Sequence, residues 1–196
     1  MSNTAIADRP EQGRAGAKHR FTVSAFHRMA EVGILGEDDR VELIDGDLLD
    51  MAPIGSKHAA TVAILSKVLT TGARERCIVF VQNPLQMPDY NEPLPDLTLL
   101  KPRADSYRDG LPQPPDVLLV IEVADSSLGR DRDVKIPIYG HHGIPETWLV
   151  DVQRSVVTVY RQPSADGYLS VTEIDSGSVA PGCLPDVAIA LRDLFG

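Results

Sequence analysis

The most apolar run of the chain is DVLLVIEVA (116–124). It is short, rich in β-branched residues and closed by polar residues, which predicts one buried central strand. Around it the pattern changes period several times. FTVSAFHRMAEVG (21–33) places Phe26, Met29 and Ala30 at helical spacing, with Thr22 or Ser24 as the cap and Gly33 as the stop. RVELIDGDLLDM (40–51) holds two apolar runs flanking Asp45-Gly46, the strongest short hairpin signal, so strands are predicted near 40–44 and 47–52. SKHAATVAILSKVLTTGA (56–73) puts His58, Val62, Leu65 and Leu69 on one helical face. Ser56 is read as its N-cap and Gly72 as its stop.

Further strands are predicted at CIVFVQNPLQM (77–87) and PDLTLL (95–100). A polar, proline-rich loop, KPRADSYRDGLPQPP (101–115), separates these from the central strand. It is at the upper end for a compact domain, and loops of that size are often functional or mobile. GRDRDVKIPIYGHHG (129–143) reads as a helix with a proline inside it. ETWLVDV and SVVTVYRQ form a hairpin around Gln153-Arg154, GYLSVTEI adds a strand, and strand-like pieces surround Val179 and Val187. The order predicts a mixed sheet with helices on its faces, an α/β (α+β) class. There is no internal repeat, and residues 21–196 read as one domain.

Composition narrows this only in places. The chain of 196 residues is 43% hydrophobic and 24% charged, ordinary for a soluble globular domain. Residues 1–20 are polar and rich in Ala and Gly, and read as a disordered lead-in without a secretory signal. No apolar run approaches the roughly 20 residues that span a bilayer. Cys77 and Cys183 have neither metal-ligand nor disulfide-framework spacing and read as reduced thiols of a cytoplasmic protein, with their pairing as the alternative. The net charge of −9 argues against a tight non-specific nucleic-acid binder. A local basic groove, or an acidic centre neutralised by metal, remains compatible with it.

The central strand carries an acid, Glu122. An ionised carboxylate in a dry strand is costly unless it is paired or bound to a cation. Residues alone leave two readings open: a strand end already in solvent, or a functional site. Asp116 cannot share a metal with Glu122, because six residues of strand separate them by roughly 20 Å. Asp96 can lie beside Glu122 if PDLTLL pairs with the central strand, although an aspartate after proline is also an ordinary turn residue. Asp131, Lys135 and Tyr139 follow one helical face at i, i+4 and i+8. Spacing alone favours an Asp131–Lys135 surface pair worth a few tenths of a kcal/mol over a cation aimed at a phosphate. Other residues read as structural: His58 as a packed histidine, His141 and His142 as helix-end residues, Trp148 as core, Ser126 and Ser127 as a helix-start turn. Tyr139 either packs or bonds an acid.

The pieces VELIDGDLLDM, GSKHAATVAIL, LPDLTLL, VLLVIEVADSSLGRDRDVKIPIYGHHGIPETWLVDV and VVTVYR together resemble the Uma-two-type restriction endonucleases of the PD-(D/E)XK nuclease superfamily. They run in that family's order from about Phe21 to Phe195. The resemblance implies a restriction-endonuclease-like core. It also implies Mg²⁺-dependent hydrolysis of DNA phosphodiesters (Mn²⁺ being the alternative ion) by a homodimer. Asp96 would be the first acid and Glu122 the second. The metal would take Asp96, Glu122 and the Val123 carbonyl, since hard oxygen ligands favour Mg²⁺ or Mn²⁺. The superfamily places a lysine two residues after the second acid, where this chain has Ala124. Lys135 would reach the vacant place from the following helix, and Glu42 would complete the catalytic set. A module that keeps the fold without cleaving is the alternative.

Overall fold

The computed structural model describes residues 18–36 and 38–196. Most of the lead-in expected over 1–20 lies outside them. Helix α1 (Val23–Glu31) is capped by Thr22, whose hydroxyl accepts from the Ala25 amide. Strands β1 (Val41–Ile44) and β2 (Asp47–Asp50) form a hairpin. Its two turn residues, Asp45 and Gly46, both take positive φ, as a type I′ turn requires. Helix α2 (Ser56–Ala73) follows, then β3 (Ile78–Val81), β4 (Leu97–Leu100) and β5 (Val117–Ala124).

Two α2 expectations are corrected. The N-cap is Gly55, and the helix runs through Gly72 to Ala73. Glycine at 72 serves packing: a Cβ there would overlap the Val187 side chain.

The main sheet has the order β3-β4-β5-β6-β7-β8, where β6 is Glu146–Asp151, β7 Val156–Ser164 and β8 Gly167–Ile174. All neighbours are antiparallel except β5 and β6. A parallel pair needs a crossover, supplied by α3 (Leu128–Arg130), a π turn (Asp131–Lys135) and α4 (Ile136–His141). Pro137 accounts for the break. It has no N–H and its ring opposes the carbonyl four residues earlier, so the widened turn before it lets the chain start a fresh helix.

Each sheet face carries its own core. α2 and the final helix α5 (Leu191–Phe195) cover one, packing Val62, Leu65, Leu69, Leu191 and Leu194 against Leu97, Leu99, Ile121, Val123 and Trp148. α4 covers the other with Ile136 and Tyr139 against Val120, Ala124 and Leu149. The long loop is tethered to this second core: Tyr107 is buried, its hydroxyl donates to the Lys101 carbonyl at 2.9 Å, and Arg103 stacks on its ring. The C-terminal segment adds the short pair β9 (Ser178–Val179) and β10 (Ile189–Ala190). Cys77 and Cys183 are both free. No helix among the described residues is long and apolar enough to cross a membrane.

Candidate functional site

Strand register decides what Glu122 meets. β4 and β5 pair antiparallel with Leu97 across from Ile121. One step beyond, that register sets Asp96 across from Glu122. The neighbouring Val123 amide donates to Asp96 Oδ2 at 2.9 Å and holds the aspartate against β5. Two more donors hold the same carboxylate: His58 Nε2 lies 3.1 Å from Oδ2, and Gln82 Nε2 donates to Oδ1 at 3.2 Å. Asp116 sits at the opposite end of β5, where its side chain accepts the Gln113 amide in a small capping box.

Glu122 points to the α4 face and is buried. The Tyr139 hydroxyl donates to its Oε1 at 2.5 Å. Lys135 Nζ lies 3.3 Å from the same oxygen and 2.8 Å from Glu42 Oε2. The surface-pair reading of Lys135 is thereby corrected: its side chain is 6% exposed, and its partners are Glu42 and Glu122 rather than Asp131. The π turn and α4 run back over the C-terminal half of β5, which is why a residue thirteen positions downstream reaches that acid. Glu42 arrives from β1 and also accepts weakly from the Leu94 amide, at 3.4 Å. Asp131, buried on the same turn, accepts from Ser127 Oγ at 2.5 Å.

Burial pushes the Glu122 carboxyl well above the usual carboxylate range, while Lys135 pulls it down. Burial likewise raises Asp131. The same burial would lower Lys135, but the charges of Glu122, Glu42 and Asp131 overcome it and raise its pKa, so the ammonium keeps its proton. The hydrogen bond to Asp96 raises the His58 imidazole against its partial burial. His58 Nδ1 is buried without a partner.

These groups line a cleft of about 540 Å³. Six carboxylates and three permanent cations face it. Among the described residues no three His, Cys, Asp or Glu side chains already converge as a metal cage. The donor chemistry nonetheless suits a hard divalent ion. Asp96 stands just ahead of β4 and Glu122 on the adjacent β5, the surplus charge is negative, and burial disfavours the ionised form of Glu122, a penalty that a cation relieves. Val123, whose carbonyl is the third donor considered, lines the same cleft.

His58, read as a packed histidine on the apolar face of α2, is hydrogen-bonded to Asp96 inside this cleft. Gln82, just past β3, and the rim residues Arg40 and Arg130 carry no sequence signal that singles them out.

A crystal structure described as "a putative nuclease belonging to DUF820 from Anabaena variabilis ATCC 29413" superposes with a TM-score of 0.70 at 20% identity. The match covers 89% of this chain and 97% of that one, and at this identity it is a likeness of fold. No curated protein matches. The family model described as "Uma2: Putative restriction endonuclease" matches residues 23–192, most of the chain. The protein, with one acid just ahead of β4, a second on β5 and its lysine returning from the crossover, belongs to that family.

Proposed function

We propose that the protein is a Mg²⁺-dependent DNA endonuclease whose reaction centre is Asp96, Glu122, Lys135 and Glu42. The observation that carries this reading is Lys135 Nζ at 2.8 and 3.3 Å from Glu42 and Glu122. A buried ammonium so placed fills the role that Ala124 leaves empty. Asp96, Glu122 and the Val123 carbonyl would hold the ion. When bound, it supplies positive charge to the scissile phosphate and acidifies water.

The chain's own groups do the rest. The Val123 amide, His58 and Gln82 fix the Asp96 carboxylate before any substrate arrives. Tyr139 orients Glu122. An ammonium has three N–H donors. Lys135 is ion-paired with Glu42 and Glu122, and one of its N–H groups would serve a phosphate oxygen, where charge builds in the transition state. Glu42 keeps the ammonium in place. Cutting both strands of a duplex takes two such centres, and we propose a homodimer for that reason.

Nicking of supercoiled plasmid with Mg²⁺ or Mn²⁺ tests the reading. The wild type should nick, while Asp96→Ala and Glu122→Ala should not. A wild type that neither nicks DNA nor binds metal sinks it in favour of a non-cleaving module. Mutants that cut as well as wild type place the activity elsewhere.

A further inference from the structure

The cleft poses an electrostatic problem for its own substrate. Its lining carries six carboxylates, and Lys135, one of three permanent cations, is already engaged by two of them. An anionic backbone entering such a cleft is repelled unless cations stand at the mouth. The other two cations are Arg40 and Arg130, both exposed. They come from distant stretches of sequence, Arg40 just ahead of β1 and Arg130 at the end of α3. Backbone contacts bring them to one corner. The Met51 amide donates to the Arg40 carbonyl at 2.8 Å, and Arg130 Nη1 approaches the Asp50 carbonyl at 3.4 Å.

Neither has a carboxylate partner among the described residues. Of the twelve described arginines, eight are ion-paired with a carboxylate. Arg40 and Arg130 are two of the four that have no such partner among the described residues. Asp50, the exposed acid between them, pairs with neither. Arg130 gives one long hydrogen bond, from Nη1 to the Asp50 carbonyl at 3.4 Å, and its other N–H groups, like those of Arg40, meet no carboxylate among the described residues; a planar donor fork of this kind suits an anion of matching geometry, and a phosphate is one.

We propose that Arg40 and Arg130 form a two-arginine rim that grips a backbone phosphate next to the scissile one. The preferred substrate is then a polynucleotide carrying at least one phosphate beyond the one cleaved, and not an isolated phosphate ester. The grip is sequence-independent and salt-sensitive, because each contact displaces counterions from the nucleic acid. This inference rests on the nuclease reading for the position of the scissile phosphate. It is read by binding, so the two can fail separately.

The test uses the full chain and a labelled duplex of about 20 base pairs, followed by fluorescence anisotropy across a salt series with Ca²⁺ in place of Mg²⁺. Arg40→Ala and Arg130→Ala should each weaken binding about tenfold at ~100 mM salt. Each should also make the dependence of log affinity on log salt shallower by about one. Arg74→Ala, which removes another exposed arginine that has no carboxylate partner among the described residues and lies outside the cleft, should do neither. Circular dichroism confirms that the variants are folded. The rim is overturned if the double variant binds within about twofold of wild type, if Arg74→Ala loses as much, or if the wild type binds no duplex. Wild-type binding at the rim without nicking in Mg²⁺ or Mn²⁺ upholds the rim and defeats the nuclease reading. Loss of nicking in Glu122→Ala with unaltered binding in the arginine variants does the reverse.

Discussion

Lys135→Met isolates the buried charge cluster. The methionine keeps the length and apolar stem of the lysine, so packing changes little. It leaves the carboxyls of Glu42 and Glu122, whose side chains are 3% and 4% exposed, without their shared cation. Removing one partner of a buried ion pair costs about 3–5 kcal/mol. The Tyr139 hydroxyl still donates to Glu122 and the Leu94 amide to Glu42, which places the expectation near the lower end, about 3 kcal/mol. For a chain of this size that is a fall in Tm of about 6–12 °C.

The sign with pH follows. Burial raises Glu122 above its unfolded value of 4.5, and Lys135 pulls it down. Without Lys135 the folded state holds that proton still more tightly than the unfolded state. Stability of the variant therefore falls as pH rises through the interval above 4.5. The deficit against wild type should be largest near neutral pH and should shrink as pH falls below about 4.5, where the Glu122 carboxyl is protonated in the folded state and increasingly so in the unfolded one. Urea unfolding from about pH 4 to 8 measures it. A deficit under about 1 kcal/mol at neutral pH, or one that does not vary with pH, refutes the buried-pair argument. Adding Glu42→Gln to the variant should recover part of the loss, since one stranded charge is removed.

Four further outcomes follow. Tyr139→Phe removes the donor to Glu122 and should cost about 1–3 kcal/mol in chemical denaturation. Gly140→Ala should destabilise by about 1–3 kcal/mol, because a Cβ there overlaps the Gly167 backbone, and the fall in Tm reads it. Asp96→Ala should lower the His58 pKa measured by NMR titration. The Asp96 hydrogen bond raises that pKa above 6.5, so its stabilisation is full below pH 6.5 and is lost as pH climbs through the folded value. Asp116→Ala, at the far end of β5, should cost about 1 kcal/mol as a lost cap and leave plasmid nicking unchanged.

Local periodicity carries much of this fold. The Asp45-Gly46 hairpin, the apolar face of α2, the buried run of β5 and the β6–β7 hairpin are each specified by short-range pattern. Turn chemistry and hydrophobic spacing act over only a few residues, so they can be read without tertiary context. The carboxylates were legible for the same reason, because an acid inside Val120-Ile121-Glu122-Val123 contradicts its surroundings. Their meeting was legible only as a condition, the pairing of PDLTLL with the central strand. Asp96 and Glu122 are 26 positions apart, and the β4–β5 register meets that condition. Helix ends were also misread: Gly72 looks like a stop but serves Val187, a residue more than a hundred positions later.

The sequence by itself determined that the chain holds an acid in its central strand and a lysine one crossover later, in an order shared with a nuclease family. Only the tertiary structure decided where that lysine goes. Helical spacing offers it Asp131 at the surface. Pro137 breaks the helix into a π turn and a fresh segment laid over β5, and Lys135 ends between Glu42 and Glu122. Long-range placement of this kind depends on how the crossover packs against the whole sheet, a sum of many weak contacts that no short window of sequence contains.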